Sequence, residues 1–503
     1  MKRATRHPRR RQSVETGGIT GNVDLDKERL VSAFGASPDL VIRELRTGAA
    51  DKIRVLVAHI DGVVSREILG AQLVEQVINP ARTWQSAQHA YRELRDRLVF
   101  GTEVKESESL DEIMTLISDG NCALLVEGVQ KALAMCVRDW EKRALDEPSS
   151  EPSVRGPKEG FIESVRVNTS LLRKRLKSNR LWTEHAKIGD ISRTDVVIAY
   201  IQGKADPDLV AEVRKRISQI PVGSIIESGQ LEEFIRDAPS SLFPTVLRTE
   251  RPDKVTAALM EGRVSVLVDG SPFALIMPAT FTMFLAASED YYEQPIVSSF
   301  IRLLRYAAFL SSLVLPALYV SVTTFHQELL PTPLILSIAA QRDGVPFPAV
   351  GEALLMEVVF EVLREAGIRL PRVVGSAVSI IGALVLGDAA IRAGLVSPAM
   401  VVVVAGTGIA SFTTPVFSIA IGIRLLRFVM ILLAASLGLY GVVLGLLGVL
   451  IHLSALRSFG VPYLAPLAPV VKEDLEDSLI RASVQQITHD PSQDSSTDGS
   501  GSP

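Results

Sequence analysis

Residues 428–450, FVMILLAASLGLYGVVLGLLGVL, decide the fold of the C-terminal half, because more than 20 consecutive positions pass without a charge. At a rise of about 1.5 Å per residue, a helix of this length covers the ~30 Å hydrocarbon core of a bilayer. Gly438, Gly441, Gly445 and Gly448 recur every three or four residues, so they share one face of that helix. Small residues on one face let helices approach closely in lipid. The sequence predicts a membrane-spanning helix whose glycine face packs against a neighbour.

The composition differs between the two halves of the 503-residue chain. Charged residues make up 22% and apolar residues 47%, but most of the apolar excess follows Pro295. The net charge of −4 gives no nucleic-acid footprint, so we expect no nucleic-acid partner. Nothing between Met1 and Leu30 resembles the apolar core of a signal peptide. We therefore expect the first half to be soluble and to stay on the cytoplasmic side of the membrane.

The first half has an α/β pattern that occurs twice. IRVLVAHI, CALLVEG and KALAMCV are predicted strands, and DVVIAYI and VSVLVDGSPFALIM repeat their order further along the chain. An offset of 142 residues aligns Gly120 with Gly262, and Glu127-Gly128 with Asp269-Gly270. The predicted fold class is an α/β soluble N-terminal region of two related subdomains, followed by an all-α polytopic membrane domain.

Composition also sets the expected boundaries, and the linker is marked by its prolines and serines. We expect a disordered basic arm (1–40), a first α/β subdomain (41–146), a linker (147–160), a helix with the second α/β subdomain (161–294), a transmembrane domain of four to five spans (295–460), a C-terminal cytoplasmic segment (461–484) and a disordered tail (485–503). The helix after the linker, FIESVRVNTSLLRKRLKS, is basic and amphipathic. A solvated face on a domain-joining helix is favoured over a membrane-surface or nucleic-acid role.

Two cysteines occur, Cys122 and Cys136, on predicted strands that flank one turn. They are not at the spacing of metal ligands, so we expect buried, reduced thiols. We find no phosphate-binding loop, no HxxxH pair and no GxSxG elbow in the sequence. The sequence therefore predicts a protein that is not an enzyme and that needs no cofactor or metal.

A first span is predicted from Tyr306 to Phe325, and the arginines just before it agree with the positive-inside rule. FHQELLPTP then turns the chain on the far side and carries His326 and Glu328. No second histidine lies near His326 in the sequence, so a hydrogen-bonding role at the interface is favoured over a ligand or pH-sensing role. The next apolar run, Leu334 to Ala340, is too short to span and fits a re-entrant or interfacial segment.

An acidic helix is predicted from Val350 to Ala366. Glu357, Glu361 and Glu365 stand at i, i+4 and i+8, on one side of it. Like charges at this spacing repel, so the face needs water or cations against it. Several copies around an axis would form stacked acidic rings, which favour cations. A helix lying at the membrane surface is the alternative, and the sequence leaves both open.

Further charges belong to the membrane half. Asp388 and Arg392 stand four apart on one predicted helix, where an ion pair softens the cost of burial in lipid. A structural ion pair is the first interpretation of these two residues, and lining of a pore is the second. Glu352 and Arg392 join His326 and Glu328 as candidate interfacial or gating residues.

Several long segments resemble GerA-type spore germination proteins, in the same order. These are RGPKEGFIESVRVNTSLLRKRLKS, LFPTVLRTERPDKV, EGRVSVLVDGSPFALIMP, SEDYYEQP, FHQELLPTPLILSIAAQRDGVPFP, MEVVFEVLREAGIRLP and GSAVSIIGALVLGDAAIRAGLVSP. The resemblance is continuous from about residue 155 to 470 and points to the A subunit of the nutrient-germinant receptor. SpoVAF-type paralogues share most of these segments, so the resemblance does not separate the two.

This resemblance implies a two-part cytoplasmic domain and a membrane domain in the inner membrane of the bacterial endospore, with the N-terminal domain on the core side. It implies a homo-oligomer in membrane lipid that works with a transporter-like B subunit and a lipoprotein C subunit. It also implies a channel that releases monovalent cations when nutrient is sensed. A non-conducting sensor or scaffold, whose α/β domains bind a ligand or partner, is the alternative function. Glutamine at Glu357 and Glu361 is expected to change ion flux only if the chain is a pore.

Overall fold

The computed structural model describes residues 17–47, 53–65, 67, 69–70, 84, 86–98, 103–137, 148, 150–369, 387–470 and 477–481. The chain forms two compact units. The first comprises Met1–Ser149, Glu159–Ile235 and Arg248–Ile276, and the second comprises Ser150–Lys158, Arg236–Leu247 and Met277–Pro503. The expected disordered tail, residues 485–503, lies outside the described residues.

Subdomain 1 is an antiparallel sheet with the strand order β1-β2-β4-β5-β3. Its elements are α1 (Val23–Ala33), β1 (Leu40–Thr47), β2 (Ile53–Ile60), α2 (Ala87–Leu98), β3 (Val104–Ser107), α3 (Leu110–Ser118), β4 (Asn121–Val126) and β5 (Ala132–Cys136). Alternate residues of β2 and β4 point to opposite faces of the sheet. Val55 and Leu124 pack with Leu94 of α2, whereas Leu56 and Leu125 pack with Leu30 of α1. Both faces are buried, which explains the continuous apolar run of IRVLVAHI.

Subdomain 2 has the same order of strands, β6-β7-β9-β10-β8. Its elements are α4 (Val165–Arg175), β6 (Leu181–Ile188), β7 (Thr194–Ile201), α5 (Pro207–Ser218), α6 (Ser228–Ile235), β8 (Leu247–Thr249), α7 (Pro252–Met260), β9 (Val264–Val268) and β10 (Ala274–Met277). Because the two strand orders match element for element, the predicted pair of related subdomains is confirmed.

The repeat extends to individual hydrogen bonds. The turn acid Glu127 accepts from the amide of Val23 at 3.3 Å, and Asp269 accepts from that of Val165 at 3.0 Å. The amide of Ile19 donates to the Glu108 carbonyl and that of Phe161 to the Glu250 carbonyl. Corresponding partners are 142 residues apart in every case. The acidic turn residues therefore hold the first turn of the leading helix in each subdomain, where orphan amides need acceptors.

The expectation of a disordered arm over residues 1–40 is wrong for its second part. Helix α1 occupies Val23–Ala33, and Asn22 caps it by accepting from the amides of Asp24 and Leu25. Val23, Leu30 and Phe34 are buried in the core of subdomain 1. The arm therefore contributes the leading helix of the first repeat, and residues 1–16 lie outside the described part.

The cysteines lie on neighbouring strands of subdomain 1, and both are free thiols. Cys122 is fully buried, and burial raises the pKa of its thiol to about 12. Cys136, at the end of β5, is partly exposed. Full burial was therefore predicted correctly for Cys122 and not for Cys136.

The basic helix α4 joins the two subdomains of the first unit. Arg173 is 1% exposed and forms a bidentate ion pair with Asp39, with Nε–Oδ2 and Nη2–Oδ1 distances of 2.7 and 3.0 Å. The Thr183 hydroxyl lies 3.1 Å from the same carboxylate. On the exposed side, Arg166 pairs with Asp61 at 2.9 Å. The helix thus joins domains, as favoured, but its basic side is paired across the joint.

The second unit is helical, and two of its described helices, α9 and α14, are long and apolar enough to cross a membrane. Its helices are α8 (Phe281–Leu285), α9 (Pro295–Thr324), α10 (Thr332–Arg342), α11 (Ala349–Arg369), α12 (Gly387–Arg392), α13 (Pro398–Phe412), α14 (Phe417–Leu437) and α15 (Leu439–Ala455), and a small hairpin, β11 (Arg457–Ser458) and β12 (Val461–Pro462), follows. Residues 150–158 of the predicted linker belong to this unit, and Arg155 pairs there with Glu293 at 3.3 Å.

The prediction of one unbroken helix over residues 428–450 is wrong. The chain breaks at Gly438, whose φ of 61° and ψ of −141° lie where only glycine is comfortable. Helix α15 turns back along α14, because Gly441 lies against the Leu433 carbonyl and Gly445 against the Met430 sulfur. These two glycines do allow close helix packing, but the neighbour is the preceding helix. Gly448 has open space around it.

The chain returns from α15 to the start of α9. Asp290 is 3% exposed and accepts from both Arg302 and Arg305, at 3.3 and 3.0 Å. Arg302 also donates to the Asp477 carbonyl at 2.6 Å, and Arg481 donates to the Tyr291 carbonyl at 3.2 Å. Residues 477–481 therefore lie at the same end of α9 as the SEDYYEQP segment.

The joint between the subdomains gives a first prediction. Arg173→Ala leaves the buried Asp39 without a basic partner, so we expect the free energy of unfolding of the first unit to fall by about 3–5 kcal/mol. Urea unfolding of the detergent-solubilised chain, followed by tryptophan fluorescence, measures the change. Arg166→Ala is the control, because its half-exposed pair with Asp61 is worth only about 0–1 kcal/mol. Equal losses in both variants would contradict the assignment.

The glycine break gives a second prediction. A Cβ at Gly438 would lie 2.7 Å from the His326 ring on a backbone that disfavours side chains. We expect Gly438→Ala to lower stability by about 1–3 kcal/mol. Thermal unfolding in detergent measures this, with Gly448→Ala as the control in open space. A neutral Gly438→Ala would mean that residues 428–450 form a continuous helix after all.

Candidate functional site

The candidate site is a set of acid–base pairs between α11 and α14 in the second unit. Helix α11 starts after Pro348 and carries its acids on one side. Helix α14 carries two arginines three residues apart, Arg424 and Arg427, which share one helix face. The two helices run antiparallel, because the earlier acid pairs with the later arginine. We call the two pairs, Glu357–Arg427 and Glu361–Arg424, the charge ladder.

The inner pair of the charge ladder is fully enclosed. Arg427 Nη1 lies 2.7 Å from Glu357 Oε2, and the two side chains are 2% and 3% exposed. Arg427 Nε also donates to the Ser312 carbonyl of α9 at 2.7 Å. A buried pair of this kind offsets the cost of desolvating both charges only while each partner is present. The pair therefore ties α9, α11 and α14 together.

The second pair is more open. Arg424 contacts Glu361, whose side chain is 39% exposed. Nearby, the Arg364 guanidinium lies 4.9 Å from the Phe412 ring centroid and 5.8 Å from that of Phe417. Cation–π contacts of this kind shield a guanidinium inside an apolar helix bundle. Arg424 is thus neutralised by Glu361, and Arg364 is shielded by the rings of Phe412 and Phe417.

A third pair lies at the start of α11. Glu352 is fully buried, accepts from the backbone amide of Ser397 at 2.9 Å and pairs with Arg342 at 3.2 Å. Ser397 is the N-cap of α13, so Glu352 holds α11 to the start of that helix. Of the predicted gating residues, Glu352 therefore has a buried structural role, since it joins the start of α11 to the start of α13.

The remaining predicted acids are exposed. Glu365 pairs with Arg369 of its own helix at 2.7 Å, and its side chain is 57% exposed. Asp388 pairs with Arg392 at 2.8 Å, the i, i+4 ion pair that was the first interpretation. Glu328 is exposed beside the end of α9. The carboxylates of these three acids lie on the surface of the helical unit.

His326 lies against the break between α14 and α15. Its ring is close to Gly438, and its centroid is 6.3 Å from that of Tyr440. Its Nδ1 is buried and has no hydrogen-bond partner among the described residues. The structure thus brings His326 together with Gly438, a contact that sequence spacing does not reveal.

The acidic face expected to be open is occupied at two of its three positions. The sequence identified Glu357 and Glu361 but not their partners, and it placed Arg424 and Arg427 outside the predicted last span. The available signal was their spacing, since arginines at i, i+3 suit acids at i, i+4 on an antiparallel helix. Among the described residues, no group of three or more His, Cys, Asp or Glu side chains is arranged to hold a metal.

The α/β unit contains two open clefts that bear on the sensor alternative. One, of about 670 Å³, is lined by charged side chains of α2, β3 and the β4–β5 turn, and the other, of about 470 Å³, lies beside β6 and α5. In the larger cleft, Arg95 pairs with Glu106 at 3.5 Å and Lys131 pairs with Glu108 at 2.8 Å. Most of its charges therefore neutralise one another.

The relatives found by comparison with known proteins include several spore germination proteins. The sequence model described as Bacillus/Clostridium GerA spore germination protein matches residues 28–493. Spore germination protein KA of Bacillus subtilis (strain 168) is 46% identical, covering 89% of this chain and 82% of that protein. Spore germination protein B1 of the same organism is 38% identical, covering 95% and 99%. The uncharacterized membrane protein YfkQ, also of that organism, is 41% identical, covering 94% and 91%.

One solved structure is also similar. It is the N-terminal domain of the A subunit of the Bacillus megaterium spore germinant receptor GerK3, which is 29% identical to this chain. The match covers 53% of this chain and 98% of that one, with a TM-score of 0.41.

The enclosed pair gives a third prediction. Arg427→Gln leaves Glu357 buried without a base, so we expect a loss of about 3–5 kcal/mol in stability. The double variant Arg427→Gln/Glu357→Gln removes both charges and should recover most of that loss. Thermal unfolding in detergent, analysed as a double-mutant cycle, gives the coupling between the two residues. Additive losses would show that the two side chains do not depend on each other.

Proposed function

The chain belongs to the GerA family of spore germination proteins, and on that premise we propose that it is an A-type membrane subunit of a spore germinant receptor. Its α/β unit lies on the core side of the inner spore membrane, and its helical unit spans that membrane. Its partners are the transporter-like B subunit and the lipoprotein C subunit. The names of its relatives and the apolar helices α9 and α14 support this proposal.

The directions of the helices support an even number of crossings. Helix α9 ends beside Gly438, where α14 ends and α15 begins. Helix α15 then returns to residues 237–245, because His452 lies 2.9 Å from the Ser241 hydroxyl. Residues 477–481 contact the start of α9. The C-terminal segment therefore lies at the same end of the helices as the start of α9, the cytoplasmic side in this proposal.

The function proposed is a monovalent-cation channel formed by several copies of the chain. The observation that carries it is the exposure of two acids in the helical unit, Glu365 and Asp388. Acids at membrane depth face a bundle interior or water, because lipid exposure is costly. Copies around an axis would surround such a water-filled path, and acids along it would favour cations. In this arrangement Glu357 is a structural residue, since Arg427 encloses it.

The sensor or scaffold function remains the second candidate, and it rests on the two clefts of the α/β unit. Under that function the chain binds a ligand or partner while another subunit transports. Most charges in the larger cleft pair with each other, so few of them are left to bind a charged ligand.

The channel proposal predicts an effect on ion selectivity. In vesicles holding the full-length chain, alone and with B and C subunits, the variant Glu365→Gln/Asp388→Asn should lower the ratio of potassium to chloride permeability by about fivefold or more, since acids near the path favour cations. Glu233→Gln removes an exposed acid of the α/β unit and should change nothing. The mass of the detergent-solubilised chain should correspond to a closed ring. A monomer that conducts nothing, even with its partners, would favour the scaffold.

A further inference from the structure

The acids on one side of α11 outnumber the arginines of α14 that face them. Helix α11 offers three acids at four-residue intervals, Glu357, Glu361 and Glu365, whereas α14 offers two arginines. Glu357 and Glu361 are paired across the two helices, whereas among the residues that the structure describes Glu365 pairs only with Arg369 of its own helix. One acid is therefore left over at the end of α11 away from Glu352.

The spacing of the acids equals about one helical turn. Four residues correspond to a rise of about 6 Å. If α11 moves by that distance toward its own N-terminus, Glu361 arrives opposite Arg427 and Glu365 arrives opposite Arg424. Both arginines keep an acidic partner, and Glu357 moves toward the end of α11 where Arg342 lies.

We propose that α11 has two stable registers against α14, one helical turn apart, and that the subunit switches between them. The observed register pairs Glu357 with Arg427, and the second register pairs Glu361 with Arg427 and Glu365 with Arg424. The inference deepens the proposed function, since it describes how such a subunit changes state. One-turn displacements between packed elements are an established form of two-state switching.

Burial makes the two registers discrete. Arg427 is 2% exposed, so at any intermediate position it would be a buried charge without an acidic partner. Such a charge is strongly unfavourable, which separates the two registers by a barrier. Glu365, which has no arginine of α14 opposite it in the observed register, is exposed, so its carboxylate stays solvated at little cost in free energy.

Three contacts indicate which part of the chain moves with α11. Glu352 accepts from the Ser397 amide, the Phe360 ring fills the space above Gly408, and Arg364 contacts the Phe412 ring. All three join α11 to α13, so these helices move as one body against α14. Gly344, in the connection that leads into α11, has open space around it for the adjustment.

The test measures the register directly and does not depend on ion conduction. Spin labels at Val362→Cys of α11 and Leu437→Cys at the end of α14, both exposed positions, report the position of α11 along α14 in full-length chain reconstituted in lipid nanodiscs, because α11 moves toward Leu437 in the proposed slide. Cys122 and Cys136 are replaced by alanine, and labelled chain is diluted with unlabelled chain so that only distances within one chain are measured. A slide of about 6 Å gives a second, resolved distance.

Substitutions at two exposed charges, Glu365 and Arg369, and at the buried Glu357 change the population of the second register in different directions. Glu365→Gln removes the partner that Arg424 needs in the second register, so the population of that register should fall at least about tenfold. Arg369→Gln frees Glu365 from its own helix and should raise the same population. Glu357→Gln weakens the observed register and should also raise it, at least about tenfold. Since Glu365 and Arg369 are exposed, both of those variants are expected to fold.

A merely structural ladder would give one distance in every variant that folds, and that result overturns the inference. Equal effects of Glu365→Gln and Arg369→Gln would also overturn it. Two registers without potassium flux, even with the partner subunits, would support the switch and contradict the channel. Potassium flux with a single distance would support the channel and contradict the switch.

Discussion

The pair of Glu357 and Arg427 is the interaction on which the helical unit depends. Neither side chain reaches solvent, and the arginine also binds the Ser312 carbonyl of α9. Three helices are thereby fixed at one depth by charges that cannot leave each other without a large cost. A buried ion pair often stabilises a fold no more than an apolar contact of the same size would. It does specify how two helices are aligned, because each charge must lie opposite its partner. Since α11 carries several acids at regular spacing, the pairs can define its register against α14.

The α/β unit depends on a different device, the repetition of one capping arrangement. An acid in the β-hairpin turn holds the first amides of the leading helix in both subdomains, at Glu127 and at Asp269. The repeats are then joined through a buried pair, Arg173 and Asp39, which has no counterpart within either repeat. The repeat thus accounts for the two sheets, and the charge pair between the repeats joins them.

Much of the fold follows from local pattern. The two α/β repeats, their shared offset, the helical second half and the acidic row on α11 all come from periodicity that each segment carries by itself. Helix α1 was overlooked because its polar surroundings resemble a disordered arm. The duplication contained the missing information, since Val23 aligns with Val165 of the recognised helix α4. The acids of the candidate site were found, whereas the arginines that pair with them were not.

By itself, the sequence determined the buried strands of the two α/β repeats, the relation between the two subdomains and the apolar character of the helical unit. Only the tertiary structure decided that residues 428–450 form a hairpin broken at Gly438, and that Glu357 and Glu361 face arginines instead of open water. The physical reason is the range of the interactions. Periodicity and composition act within a segment, whereas a helix break at glycine and the partner of a buried charge depend on what packs there from distant parts of the chain.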